Sequence, residues 1–91
     1  MQSKMESLNL FLLKRRLALG LTQLEVAKLL KYGSAQYISN WERGLNSPPM
    51  YRLVELAEVY KVNKVEFMNI IINETKKELE KKLGLVSIKK K

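Results

Sequence analysis

Gln36, Tyr37, Asn40 and Arg43 are the residues of this chain best suited to recognition chemistry, and their spacing places them within about two turns of one helix. A helix advances about 100° per residue. With Ile38 set at 0°, Trp41 falls at about −60° and Glu42 at about +40°, both turned inward. Arg43, Gln36 and Asn40 fall at about 140°, 160° and 200°, on the opposite and exposed flank, with Tyr37 and Ser39 beside it. An amide sets a donor next to an acceptor, which matches N6 and N7 of adenine in the major groove of DNA. Each good bidentate pair discriminates by about 1–3 kcal/mol. The Arg43 guanidinium matches guanine or, nearer the helix end, phosphate. Tyr37 can lie over a phosphate or touch a thymine methyl; the plain alternative is a surface tyrosine. Trp41 is spaced as a core residue rather than a stacking platform.

Other chemistry is poorly provided for. The 91 residues contain no Cys and no His, and all nine acidic residues are Glu. Disulfides, thiolate zinc sites, a thiol nucleophile and the commonest general base are therefore excluded. No phosphate-binding loop is visible, and no enzyme activity, cofactor or metal is expected. Lys and Arg total 17, for a net charge of +8. Seven bases and three acids fall in residues 1–44, three of each in 45–73, and seven and three in 74–91. A basic surface suits phosphate, anionic lipid or an acidic partner. No run approaches the roughly 20 apolar residues of a membrane span, and Met1 to Leu13 does not read as a signal peptide. A cytoplasmic, nucleoid-associated protein is expected, with no membrane contact.

Five helices and no strand-like alternation through the first 83 residues predict an all-α domain. The first helix runs from about Glu6 to Leu19, with Leu10, Leu13 and Leu17 on one face and Gly20 as its stop. The second starts after Thr22, where Thr22 and Glu25 form a capping box, and turns Val26, Ala27, Leu29 and Leu30 inward. A short turn around Lys31-Tyr32-Gly33 leads to the third, which starts after the N-cap Ser34 and ends at Gly44. Leu45 to Pro49 is a loop, and Pro49 opens the fourth helix, which buries Leu53, Leu56, Ala57 and Tyr60. The fifth begins after Asn63, capped together with Glu66, and runs to about Leu83, with Gly84 as its stop. The division is then a DNA-binding domain over residues 1–73 and a helical extension with a basic tail over 74–91.

Thr22-Gln23, Ala27, Ile38-Ser39-Asn40-Trp41-Glu42-Arg43-Gly44 and Asn46-Ser47-Pro48, in this order and spacing, resemble the Cro/phage-repressor helix-turn-helix family, also called the Xre family. The likeness continues through Leu53, Leu56-Ala57, Val62 and Glu66-Phe67-Met68 and covers about residues 8–70. It implies a compact five-helix lambda-repressor-like fold that binds double-stranded DNA as a dimer on a near-palindromic operator. It also implies that Ala35, Gln36, Tyr37 and Asn40 face the groove; Ser34, just ahead of them, is a cap first and a base-facing contact second. Thr22, Gln23, Lys31, Tyr32, Arg43 and Asn46 would meet phosphate, and Arg16 would pair with the inward Glu42. Two local departures stand out. Ala27 to Ile38 is eleven steps, one more than the family's usual spacing, so the turn is longer by a residue. Ala35 stands where many relatives carry Gln and offers a thymine methyl only an apolar contact.

Beyond the family core, Val65, Met68, Ile72, Thr75, Leu79 and Lys82 recur at heptad-like spacing, widened by Ile71 and Leu83. Val65, Met68, Ile71, Ile72 and Leu79 are the expected homodimer contact; the alternative is that they close the subunit's own core. Leu85 to Ile88 offers a further strand or packing segment, and Lys89 to Lys91 a solvated basic end. Two functions fit these features. One is a sequence-specific transcriptional regulator, a dimeric repressor of a nearby promoter of phage, plasmid or mobile-element type. The other is an antitoxin or similar module that neutralises a partner protein and also binds its own promoter.

Overall fold

The computed structural model describes residues 7–85. The expected start at Glu6, the segment to Ile88 and the final lysines lie outside them. Five helices follow in order: α1 Leu8–Ala18, α2 Gln23–Leu29, α3 Gln36–Glu42, α4 Met50–Val59 and α5 Lys64–Lys82. Among the described residues there is no strand, and no helix is long and apolar enough to cross a membrane.

Local chemistry fixes most of the ends. Ser7 caps α1 by accepting from the Leu10 amide. The Thr22 hydroxyl accepts from Glu25 N at 3.0 Å while Glu25 Oε1 accepts from Thr22 N at 2.8 Å, the capping box in full. Asn63 Oδ1 accepts from Glu66 N at 2.9 Å. Two boundaries differ from expectation. Pro49, at ψ 153°, is the N-cap of α4 rather than its first helical residue. The N-cap of α3 is Ala35, while Ser34 Oγ accepts from Gln36 N at 3.3 Å just ahead of it. The left-handed residue that closes α2 is Lys31, at φ 66°. Tyr32 N donates to Ala27 O at 2.9 Å and Lys31 N to Lys28 O at 3.0 Å, so backbone bonds hold a lysine where glycine is the commoner choice.

The core joins α1, α2 and α3 through Leu12, Val26, Ala27, Leu30, Ile38 and Trp41, and continues to Leu56, Tyr60, Phe67 and Ile70. Phe11 and Phe67 stack at 5.8 Å and tie α1 to α5. Burial pushes the Tyr60 phenol well above its usual pKa, with the Glu42 charge adding to the rise. The Leu10 face of α1 is not the buried one. Leu10 is 39% and Leu17 60% exposed, while Leu8, Phe11, Leu12 and Arg16 are buried. Helix α1 is apolar on nearly every side, and the ring of Phe11 together with the ion pair of Arg16 selects the opposite stripe. Leu29, expected inward on α2, is also exposed, because Leu30 fills that layer. Leu53 only half-buries, at the margin of the core.

Arg15, singled out by no pattern, caps the end of α4. Its Nε donates to Tyr60 O at 2.7 Å and its Nη2 to Lys61 O at 2.9 Å. The Tyr60 carbonyl, at the C-cap, is one that the helix itself leaves without a partner.

Candidate nucleic-acid interface

Helix α3 has two opposed faces. Ile38, Trp41 and Glu42 are buried, as their spacing predicts. The Glu42 carboxylate accepts from Arg16 Nε at 2.6 Å and Arg16 Nη2 at 2.9 Å, a bidentate pair between α1 and α3. Arg16 Nη1 donates to Leu21 O at 2.9 Å, so the buried guanidinium is met on several sides. Its already high pKa is raised further, chiefly by the bond to Glu42 and against the lowering effect of burial. Gln23, expected at phosphate, donates from Nε2 to Glu42 Oε1 at 2.9 Å. Asn9 Nδ2 donates to Glu42 O at 3.3 Å. The inward end of α3 is therefore fixed to α1 and to the start of α2.

The outward face is a joined polar ridge. Asn40 Oδ1 accepts from Gln36 Nε2 and from Arg43 Nη2, each at 2.9 Å. Arg43 has donors only, so it determines which end of the Asn40 amide faces it, and Asn40 in turn orients Gln36. Gln36 keeps its oxygen and one N–H, while Asn40 keeps its two amide protons. Ser34 and Gln36 are exposed, and Ala35 and Asn40 half-exposed, along the same flank.

The turn before α3 is organised by Tyr32. Its ring stacks on that of Tyr37 at 4.4 Å and meets Trp41 edge-on at 5.9 Å. Arg52 of α4 lies 4.3 Å above the Tyr32 ring, and its Nε donates to the Tyr32 hydroxyl at 3.0 Å. Tyr32 is half-buried in this cluster. Thr22, Lys31, Arg43 and Asn46, the other residues expected at phosphate, are exposed at the surface. Sequence reasoning gave no part to Asn9 or Arg52; both make contacts between elements, and no local motif marks them.

Helix α5 leaves an apolar groove against α4. It encloses about 960 Å³, and Val54, Phe67, Met68, Ile71, Ile72 and Leu79 are among its walls. Of the expected dimer residues, Met68, Ile72 and Leu79 are half-exposed there, and Ile71 also packs on the core. Val65 is exposed on α5 outside the groove's lining.

Two short helices joined by a turn, the second carrying an exposed polar ridge over a buried base, define a helix-turn-helix protein. The helix-turn-helix family pattern matches residues 12–67, more than half of the chain. The protein belongs to that family, the Xre/Cro-like helix-turn-helix proteins, which are DNA-binding transcriptional regulators. No curated protein and no solved structure matches the chain.

Proposed function

We propose that the protein is a dimeric repressor that places α3 in the major groove of a near-palindromic operator and blocks a nearby promoter. The observation that carries this reading is the Gln36–Asn40–Arg43 ridge, presented outward by a helix whose other face is locked into the core. Gln36, with a free acceptor beside a free donor, suits adenine. Asn40, with only donors free, suits the N7 and O6 acceptors of guanine or O4 of thymine. Ser34, Ala35 and Tyr37 line the same approach. Thr22, Lys31, Arg43 and Asn46 surround it for phosphate, Gln23 and Tyr32 being engaged by Glu42 and Arg52, and the net charge of +8 favours association with any duplex. Exclusion of polymerase needs no chemical step.

Selection from randomised duplexes tests this. The expected result is enrichment of a two-fold-related sequence. Its log affinity falls linearly with log salt, by a slope of about −0.9 for each phosphate contact. Equal retention of all duplexes would overturn the reading.

The groove on α4 and α5 is the proposed subunit contact. A second copy of α5 would cover Met68, Ile72 and Leu79, which a lone subunit leaves half in water. Met68, Ile72 and Leu79 lie past the family match, which ends at residue 67. Ile72→Asp is expected to give a monomer in sedimentation velocity and to weaken operator binding while leaving the helical circular dichroism intact. An unchanged dimer mass would exclude α5 as the contact.

A further inference from the structure

We infer that Arg52 and Tyr32 are positioning residues for Tyr37, and through it set base preference at the position its ring meets. This rests on the reading of α3 proposed above and extends it to a residue of α4. Tyr37 is 53% exposed at the edge of the reading ridge, where an unsupported tyrosine would sample several rotamers. Here its ring is stacked on Tyr32 at 4.4 Å with 24° between the planes, which singles out one orientation. Tyr32 is held in turn. Its amide is bonded to Ala27 O at 2.9 Å, its ring edge-on to Trp41, and its hydroxyl accepts from Arg52 at 3.0 Å. The Arg52 guanidinium adds a cation–π contact at 4.3 Å and is itself braced by Glu55 Oε1 at 2.6 Å. A continuous set of contacts therefore runs from α4 through the turn to the exposed rim of α3. An orientation fixed before binding spares the complex the entropy of fixing it on contact, so the arrangement acts on discrimination as well as on stability.

The test uses the full chain and selection from randomised duplexes. Tyr37→Ala first identifies the positions whose preference depends on that ring. Tyr32→Leu and Arg52→Ala are expected to flatten the same positions by about 2- to 12-fold, leaving those that depend on Gln36 and Asn40 sharp. Tyr32→Phe, which keeps the stack and loses only the hydroxyl, is expected to retain the preference in large part. Retention of the parental pattern by both Tyr32→Leu and Arg52→Ala would overturn the inference while leaving the function of α3 intact. So would a uniform loss at every position, which is the mark of a merely structural role. If Tyr37→Ala itself changes nothing while Gln36→Ala does, Tyr37 does not read the groove and the inference fails. Absence of any enriched sequence for the parent protein would instead sink the proposed function, and the inference with it. Thermal melts accompany each variant. Arg52 is not part of the apolar core, so Arg52→Ala carries the test should Tyr32→Leu not fold.

Discussion

Replacing Glu42 by alanine is expected to cost about 3–5 kcal/mol of folding stability, because it strands a buried guanidinium without its anion. Three hydrogen bonds go at once: two from Arg16, at 2.6 and 2.9 Å, and one from Gln23, at 2.9 Å. Arg16 is 9% exposed, so water reaches it poorly, and Leu21 O is the acceptor that stays. A small domain holds about 5–15 kcal/mol in total, so the loss is a large share of it. At about 4–8 °C per kcal/mol for a domain of this size, the melting temperature should fall by at least about 12 °C. Arg16→Met combined with Glu42→Leu removes both charges and should recover most of the loss, since paired burial of ions is itself expensive. Thermal unfolding followed by circular dichroism measures both variants. A Glu42→Ala protein melting within about 3 °C of the parent would show that the pair carries little.

The same pair shows how far the sequence could be read. Glu42 sits beside Ile38 on the inward side of α3, so a charge there demanded a partner, and the family likeness pointed to Arg16. Capping chemistry placed the starts of α2 and α5 correctly because Thr22–Glu25 and Asn63–Glu66 act over three residues. Periodicity failed where it was ambiguous. In α1 two apolar stripes compete, and contacts from α3 and α5 decide between them. The turn around Lys31-Tyr32-Gly33 was legible, but not which residue takes the left-handed conformation: the bonds of Lys31 and Tyr32 back to α2 fix it at Lys31. Arg15, Arg52 and Asn9 act across 33 to 46 positions, or from α4 back to the turn, and no local pattern encodes such pairings. The exposed polar flank of α3 was legible because its angles follow from helix geometry alone. Its internal hydrogen bonds, which give direction to each amide, were not.

Those bonds lead to the sharpest expectation for binding. Gln36→Ala and Asn40→Ala should each lower discrimination between the best duplex and random sequence by about 1–3 kcal/mol, or about 5- to 150-fold in the ratio of dissociation constants. Because Asn40 Oδ1 accepts from both Gln36 and Arg43, the two losses should not add. The double variant should depart from their sum by about 0.5 kcal/mol or more. Arg43→Ala should weaken binding to every duplex through its lost phosphate contact. It should also release the Asn40 oxygen, so that Asn40 regains the donor–acceptor pair that adenine requires. Preference at its base should then move toward adenine. Arg43→Lys keeps the charge and, like arginine, can only donate, so where the ammonium reaches Asn40 the original preference should persist. Competition binding at fixed salt with duplexes varied at one position separates these effects. A uniform loss for Arg43→Ala, with no change in base preference, would mean that the amide of Asn40 is oriented by the DNA and not by the protein.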